Sequence, residues 1–320
     1  MSFTPPIKQK KSFLLLILLP TLIWGCGTAE RKKLVENAPL ISQTYTDDTG
    51  RAVRLSDRPQ KVVSIAPNIT EIIFAVGGQD KLAARSQACD FPSEVTSFPE
   101  IITFPELDIE GLKAINPDLI ITTDEIFTPS QVLQLEKLDL PIFLQSYKTL
   151  SDVYRGIRET GQLLGHAETG NYVADSLQLI EKRITDSTQN QIKYGTMILI
   201  SADPLKVVGG NGFLNELITR AGGRNIFGDK KEAYYTTTPE EILKLQPEFI
   251  IIPSERQQAY TELLITYPAL YNTPADVLKQ VHIVDPDLFY RPGPRMIEGL
   301  LTLTHILHTQ LNPQKFRDAQ

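Results

Sequence analysis

Short apolar runs alternate with longer amphipathic stretches from Lys61 to the end of the chain. In the first half, residues 62–65, 119–121 and 142–144 are apolar runs of strand length. In the second half, the pattern starts again with residues 196–201 and ends with a strand-like run at 281–284. Strands that alternate with helices form βα units, in which a parallel sheet is covered by helices on both faces. The pattern therefore predicts an α/β fold.

The starts of several helices are marked by the same local sequence. Thr-Pro pairs occur at residues 128–129, 238–239 and 273–274. A threonine at the N-cap accepts a backbone hydrogen bond, and proline is favoured at the first helical position. Gln131 and Glu241 stand at the third helical position, where such a side chain returns the bond. These pairs predict where three helices begin.

A long segment without strands separates the two halves. Residues 151–186 contain no proline and no strand-like run, and Gly165-His166 divides them into two helices. The second helix, at about residues 168–188, would be ~30 Å long at 1.5 Å per residue. We therefore predict two Rossmann-like lobes, each with a mainly parallel sheet flanked by helices, joined by one long rigid helix that limits hinge motion. The predicted ranges are 45–147 for the N-terminal lobe, 148–190 for the connector and 191–320 for the C-terminal lobe.

Two signatures occur once in each half. Glu71 and Glu216 each lie in an apolar helical stretch, and paired glycines follow them at 77–78 and 222–223. Residues 110–122 also align with residues 240–252 at a constant offset of 130. This repetition predicts two similar lobes with a cleft between them, which is where ligands usually bind.

The first 55 residues predict an extracytoplasmic location and a membrane anchor. Three lysines precede an apolar run at 13–19, and a short segment ending at Cys26 follows. This order is typical of a lipoprotein signal peptide at residues 1–25, with Cys26 acylated as the mature N-terminus. An uncleaved anchor helix is the alternative, but the run is shorter than the ~20 residues that a membrane span needs. Residues 26–44 then suit a solvated tether, and alternating runs around residues 47–50 predict a β-hairpin.

Charge and reactive residues narrow the function classes. Loss of residues 1–25 removes three lysines and no acids, so the formal charge moves from −6 to −9, which argues against a nucleic-acid partner. Cys89 has no partner once Cys26 is lipidated, and it is expected to be a small buried residue. The four histidines are scattered, so no metal site is predicted. An extracytoplasmic hydrolase stays open as an alternative class, although no G-x-S-x-G motif occurs and Cys89 has no adjacent catalytic histidine.

The ordered motifs resemble those of one known family. The lipoprotein signal, the hairpin, the segment 61–78, the Cys-Asp-Phe-Pro motif at 89–92 and the Arg-Pro-Gly-Pro-Arg motif at 291–295 follow in the order seen in solute-binding proteins of ATP-driven cobalamin and ferric-siderophore importers. The chain most resembles the helical-backbone, vitamin-B12-binding branch. The resemblance implies a monomeric, non-enzymatic, lipid-anchored protein on the outer side of a bacterial membrane, with a metal chelate as ligand and an ABC permease with its ATPase as partner. No cofactor is implied apart from the transported ligand.

The resemblance also implies roles for individual residues. Glu71 and Glu216 occupy positions at which relatives carry one permease-docking glutamate per lobe, although Glu71 could instead complete a helix cap with Asn68. Asp287 and Arg291 occupy positions of polar cleft residues. Phe91 lies in a motif that lines the same cleft in relatives. Further aromatic ligand contacts are expected from residues after predicted strands or before helices, although core packing is an alternative for about half of such residues: Phe127, Phe213, Tyr234 and Tyr290.

The choice of ligand stays open at this point. Corrin-binding clefts of this family commonly use tryptophan, whereas the only tryptophan of this chain is Trp24, in the predicted signal peptide. A ferric siderophore, bound by arginine and tyrosine, is therefore the first alternative to cobalamin. Haem, with a tyrosine as axial ligand, is the next. A ligand sensor for a membrane partner would use the same cleft.

Overall fold

The computed structural model describes residues 43–55 and 58–309. The predicted signal peptide, Cys26 and nearly all of the predicted tether lie outside these residues. The described part begins with an antiparallel hairpin of strands β1 (Gln43–Thr46) and β2 (Ala52–Leu55), which confirms the predicted hairpin.

The N-terminal lobe is built on a five-stranded sheet whose strands are all parallel. In chain order its strands are β3 (Val62–Ser64), β4 (Leu82–Ser86), β5 (Glu100–Ile101), β6 (Leu119–Thr123) and β7 (Ile142–Gln145). Across the sheet the order is β5-β4-β3-β6-β7. Its helices are α1 (Pro67–Ala75), α2 (Ile109–Ile115) and α3 (Pro129–Glu136), with short 3₁₀ turns at Gln79–Lys81 and Ser93–Ser97.

Two helices connect this lobe to the next. Helix α4 (Leu150–Leu164) ends at Gly165, whose φ of +78° suits glycine, and α5 (Ala167–Thr188) is the predicted long helix. The Tyr154 hydroxyl on α4 donates to Glu181 of α5 at 2.9 Å, and Arg220 contacts the same carboxylate at 3.1 Å. The connecting helices are therefore fastened to each other and to the next lobe.

The C-terminal lobe contains a six-stranded mixed sheet. Its strands are β8 (Gly195–Ala202), β9 (Leu205–Val208), β10 (Arg224–Asn225), β11 (Tyr234–Thr236), β12 (Phe249–Pro253) and β13 (Val281–Val284). Strands β10, β8, β12 and β13 are parallel, whereas β9 runs antiparallel to β8 and to β11. Its helices are α6 (Phe213–Arg220), α7 (Pro239–Leu245), α8 (Ala259–Thr266), α9 (Pro274–Val277), α10 (Asp287–Tyr290) and α11 (Met296–Thr309), with a 3₁₀ turn at Pro268–Asn272. The α/β class with two sheet-based lobes is confirmed.

The repeat in sequence is a repeat in structure. Helices α2 and α7 end at Asn116 and Gln246, which lie 130 positions apart and adopt left-handed conformations with φ of 50° and 51°. In each lobe a proline follows, and the next strand, β6 or β12, pairs with the first strand of its sheet, β3 or β8. The repeated motif is thus a helix, a left-handed turn and a central strand.

An acidic residue at the same repeat position joins neighbouring strands. The Asp118 carboxylate accepts from the backbone N–H of Lys61 at 2.9 Å, just before β3. Its counterpart Glu248 accepts from the N–H of Gly195 at 2.5 Å, at the start of β8. Each carboxylate satisfies a backbone donor that the parallel ladder leaves without a partner at its entrance.

The Thr-Pro pairs begin helices as predicted. Thr128 forms a full capping box with Gln131 at the start of α3. Thr238 accepts from the backbone N–H of Glu241 at the start of α7, and Thr273 caps α9 in the same way.

One hydrophobic core runs through both lobes and the connecting helices. It contains residues from the inner faces of the sheets, such as Val62 and Ile198, together with Tyr154, Ala174 and Leu300 from α4, α5 and α11. Neighbouring strand residues point the other way, because successive side chains alternate across a sheet. Thus Val63 and Ile120 lie in a separate core on the outer face of the first sheet.

The hairpin is anchored through one buried aspartate. Asp47 accepts from the guanidinium of Arg51 at 2.6 and 3.0 Å and from the Thr49 hydroxyl at 2.7 Å. The backbone N–H of Asp48 donates to the carbonyl of Leu144 at 3.0 Å, so the turn covers the edge of strand β7. An exposed strand edge is a site of unwanted pairing, and this contact protects it.

The N-terminus of α4 receives a carboxylate from the other lobe. Thr149 and Asp152 form a capping box there. In addition, Glu216 on α6 accepts from the backbone N–H of Leu150 at 2.8 Å. A negative charge near the first turn of a helix is stabilising, so Glu216 helps to fix α4 against the C-terminal lobe.

No helix in residues 43–55 and 58–309 is long and apolar enough to span a membrane.

Replacement of Asp47 tests the hairpin anchor. Burial would raise the pKa of Asp47, but hydrogen bonds from Arg51 and Thr49 outweigh it and hold the pKa below its ordinary value. A lowered carboxyl pKa contributes stability that is present above the unfolded-state pKa of about 4 and is lost as pH falls through the folded-state value. We expect Asp47→Asn to lower the free energy of unfolding by about 1–3 kcal/mol at pH 7. Urea unfolding should show that the loss in free energy of unfolding is smaller at pH 3 than at pH 7. Asp229→Asn, at an exposed position, is the control and should not change the free energy of unfolding at pH 7. An equal deficit at both pH values would contradict the anchor.

Replacement of Glu216 tests the cap on α4. We expect Glu216→Ala to lower the free energy of unfolding by about 1 kcal/mol, because the Leu150 N–H loses its acceptor. Glu216→Gln keeps an acceptor oxygen and should lose less. Urea unfolding measures both, and equal stability of the alanine variant and the wild type would refute the capping role.

Candidate ligand-binding cleft

The segment after the last strand carries a dense set of polar residues. Strand β13 ends at Val284, and the backbone N–H of Asp287 donates to the Asp285 carboxylate at 2.9 Å as the chain enters α10. Beyond α10 the chain is held against helix α1 of the other lobe, because the Asn68 amide donates to the carbonyl of Pro292 at 3.2 Å. This turn places the side chains of Asp287, Arg291 and Arg295 opposite the N-terminal lobe.

Five ionised side chains from both lobes meet at this point. Arg291 contacts Asp90 at 2.5 Å, Asp287 at 2.9 Å and Glu71 at 3.6 Å. Arg295 contacts Glu71 through two hydrogen bonds of 2.6 and 2.9 Å and lies 3.4 Å from Asp287. Three carboxylates thus surround two guanidinium groups, which leaves a formal charge of −1. We call these five residues the inter-lobe ion cluster.

The cluster shifts the pKa values of its members. The hydrogen bond from Arg291 lowers the pKa of Asp90, so this carboxylate stays ionised well into acid. Burial raises the pKa of Glu71, against the opposing pull of Arg295 and Arg291. The hydrogen bond to Glu71 in turn raises the pKa of Arg295. The bidentate geometry is that of an ionised pair.

Phe91 lies beside the cluster. The guanidinium carbon of Arg295 sits 4.0 Å from the centre of the Phe91 ring, a cation–π contact, and the ring remains 42% exposed. The loop that carries it also contains buried Cys89, whose thiol lies 3.2 Å from the Ser86 hydroxyl. Burial raises the pKa of the Cys89 thiol, as expected for a small buried residue rather than a nucleophile.

Two exposed tyrosines lie close together in the C-terminal lobe. Partial burial of its hydroxyl and the neighbouring Tyr234 raise the pKa of Tyr290 to about 12. Partial burial also raises the pKa of Tyr234, and the negative charge of Glu125 in the loop after β6 raises it further. Both phenols are therefore protonated at neutral pH. Tyr234 and Tyr290 are 54% and 40% exposed, so a ligand could reach them, and their role as ligand contacts stays a prediction.

Two of the predicted aromatic contacts are not at the surface. Phe127 and Phe213 are each only 7% exposed, and each packs into a hydrophobic core. The alternative of core packing therefore describes them, since a ligand has almost no access to either ring.

The two predicted docking glutamates already have partners within the chain. The side chain of Glu71 is 2% exposed and pairs with Arg295, and Glu216 is half-buried and caps α4. The expectation of an exposed carboxylate is wrong for Glu71, and Glu216 is only partly exposed. Asn68 does not cap α1 either, because the N-cap is Ala66 and the Asn68 amide binds Pro292 instead. A docking role for Glu71 and Glu216 stays a prediction, but it had assumed that both carboxylates are exposed.

Sequence reasoning missed an exposed aromatic residue beside the cleft loop. Phe104 is 79% exposed in the loop that follows β5. The Gln87 amide fixes this loop, because it accepts from the backbone N–H of Thr103 at 2.8 Å and donates to the carbonyl of Phe104 at 3.3 Å. Gln87 begins the loop that carries Asp90. The sequence analysis did not identify Asp90 as a site residue either. A loop at the carboxyl end of a parallel strand is a usual place for ligand contacts, and this rule was the available signal.

In the described part of the chain, no three His, Cys, Asp or Glu side chains converge as a metal-binding group. The carboxylates of the inter-lobe ion cluster are occupied by arginines.

Comparisons with known proteins agree with this geometry. A family model described as periplasmic binding protein matches residues 62–288. The chain is 27% identical over 241 residues to a protein named vitamin B12-binding protein from Pectobacterium carotovorum, which covers 75% of this chain and 85% of that protein. It is 25% identical to an uncharacterized ABC transporter substrate-binding lipoprotein, YvrC, from Bacillus subtilis, over 95% of this chain and 97% of that protein.

Solved structures show the same fold. The vitamin B12 binding protein BtuF of Vibrio cholerae superposes with a TM-score of 0.69 at 23% identity, over 78% of this chain and 97% of that one. A periplasmic heme binding protein from Pseudomonas aeruginosa gives 0.71 at 26% identity, over 79% of this chain and 94% of that one. With its two lobes, its helical connection and a family match across both sheets, the chain belongs to the periplasmic binding protein family.

Proposed function

We propose that this protein is the substrate-binding component of an ATP-driven importer and that it captures a neutral or cationic metal chelate, cobalamin first, between its lobes. The ligand would be carried to a permease and its ATPase without chemical change. The predicted lipid anchor at Cys26 would keep the protein on the outer side of a bacterial membrane.

The charge of the inter-lobe ion cluster carries the choice of ligand. An anionic chelate needs free cationic groups, and both cluster arginines are already engaged by Glu71, Asp90 and Asp287. Release of either arginine to a ligand would leave a carboxylate without its partner, which is costly in a partly buried site. Amide groups, in contrast, can donate to Asp287 and accept from Arg291 without removing either from the cluster. A corrin ring carries such amides on its periphery.

Exposed aromatic rings support a large planar ligand. Phe91 and Phe104 lie on adjacent loops of the N-terminal lobe, and Tyr234 and Tyr290 lie in the C-terminal lobe. Phe91 contacts Arg295 of the inter-lobe ion cluster, and an exposed aromatic surface beside a polar cleft is typical of a ligand-binding site. The aromatic faces can pack on a macrocycle while the polar cluster reads its edge.

The alternatives differ in the groups that they need. An anionic ferric siderophore or a haem carries acidic groups and would depend on the two cluster arginines. A haem would also use a tyrosinate, whereas partial burial and the neighbouring Tyr234 raise the pKa of Tyr290 to about 12. The similar structure from Pseudomonas aeruginosa is named a heme binding protein, so haem remains an alternative, and an anionic ferric siderophore remains another. A ligand sensor would use the same site, whereas a hydrolase would need a nucleophile that the buried Cys89 does not supply.

A different pair of glutamates fits delivery to a permease. Glu110 and Glu240 lie 130 positions apart, in the first turns of the equivalent helices α2 and α7. The side chain of Glu110 pairs with Lys113 at 2.9 Å but remains 83% exposed, and Glu240 is also exposed. Two accessible carboxylates on lobes that share a hydrophobic core can steer and orient a basic partner. We propose this pair, rather than Glu71 and Glu216, as the docking charges.

Calorimetric titration of the purified protein tests the ligand. We expect stoichiometric binding of cyanocobalamin and cobinamide, because the polar cleft groups contact the corrin amides. Asp287→Asn should weaken binding about tenfold, as expected for the loss of a hydrogen bond to a charged group. Arg256→Gln, at an exposed arginine, is the control and should bind as the wild type does. If the protein binds an anionic ferric siderophore or haem and does not bind cobinamide, the proposal of a neutral or cationic chelate is rejected.

Charge reversal tests the docking pair. In the native bacterium lacking its own copy, we expect Glu110→Lys with Glu240→Lys to abolish uptake of radiolabelled cyanocobalamin while the purified variant keeps its ligand affinity. Glu255→Lys, at another exposed position, should leave uptake intact. Normal uptake by the double variant would contradict the assignment of docking to Glu110 and Glu240.

A further inference from the structure

Arg295 contacts three other cleft residues, whereas an ordinary surface arginine would be mainly solvated. Its guanidinium donates twice to Glu71, approaches Asp287 and lies over the Phe91 ring. Glu71 and Phe91 belong to the N-terminal lobe, and Asp287 belongs to the C-terminal lobe. One side chain therefore touches a buried anchor and two proposed ligand contacts across the lobe boundary.

The geometry depends on the shape of arginine as well as its charge. Two parallel hydrogen bonds to a carboxylate, with the flat face on an aromatic ring, use the planar fork of a guanidinium. A lysine ammonium is a compact charge and cannot make the two bonds and the ring contact in one position. Lysine should thus keep the net charge of the inter-lobe ion cluster while losing its arrangement.

Arg291 cannot take over this role without leaving its own. It lies 3.6 Å from Glu71 but 2.5 Å from Asp90 and 2.9 Å from Asp287. Without the Arg295 fork, the buried Glu71 carboxylate would attract Arg291, because an uncompensated buried charge is costly. Arg291 would then move away from Asp90 and Asp287.

The backbone on both sides of Arg295 is held in place. The carbonyl of Pro292 accepts a hydrogen bond from the Asn68 amide of α1, and helix α11 begins directly after Arg295 at Met296. Met296 is fully buried in the core that runs through both lobes. The guanidinium is therefore presented from a fixed backbone, as a positioning group should be.

We propose that Arg295 is the positioning residue of the cleft: anchored on Glu71 of the opposite lobe, it fixes Asp287 and Phe91 for the ligand and holds the two lobes at their spacing. The ligand part of this assignment rests on the proposed function, and the spacing part does not.

A double-mutant cycle in the full-length protein tests the ligand part. Arg295→Lys should weaken cyanocobalamin binding about tenfold in the wild-type background and less than about threefold in the Asp287→Asn background, because contacting residues couple. Arg256→Lys is the matched control and should change neither affinity. Equal losses in both backgrounds would overturn the positioning role, since a purely structural defect adds independently.

A measurement without ligand separates this proposal from the identity of the ligand. Spin labels at Lys137→Cys and Gln257→Cys, both exposed and in different lobes, report the distance distribution between the lobes. We expect a narrow distribution for wild-type Arg295 and a broader one for Arg295→Lys and for Glu71→Gln, which breaks the same contact from the other side. Identical distributions in all three would overturn the spacing role. Broadening in a protein that binds no corrin would reject the proposed ligand and keep the spacing role.

Discussion

The cleft depends on a hydrophobic core that does not stop at the lobe boundary. The inner faces of both sheets, the connecting helices and the terminal helix pack into one cluster. Close-packed interiors resist continuous deformation, so the lobes cannot slide freely on this surface. The shared core therefore limits how far the lobes can move apart, and within that limit the contact between Arg295 and Glu71 can fix the spacing of the polar residues on either side of the cleft.

The inter-lobe ion cluster makes that spacing chemically selective. Its arginines are surrounded by carboxylates before any ligand arrives. A site of this kind offers hydrogen-bond donors and acceptors but little net positive charge. It favours ligands with amide edges over ligands with acidic edges, and the exposed aromatic rings add contact area for a flat body.

Much of the fold could be predicted from the sequence because its signals are local. The Thr-Pro caps of α3 and α7, the break at Gly165 and the repeated turns at Asn116 and Gln246 depend on a few neighbouring residues. The mixed sheet of the C-terminal lobe was harder to predict, because β9 pairs with β11 across an intervening helix and strand.

The cleft was harder to predict for the same physical reason. Glu71 looks like an exposed helical glutamate until Arg295, more than 200 residues later, is known to meet it. Phe127 and Phe213 follow strand-like segments as cleft residues do, yet both side chains are buried in hydrophobic cores.

The most direct test is a calorimetric competition in which the purified protein is offered equal concentrations of cobinamide and an anionic ferric siderophore. We expect cobinamide to occupy the site, and occupancy by the siderophore would contradict a cleft selective for neutral or cationic chelates.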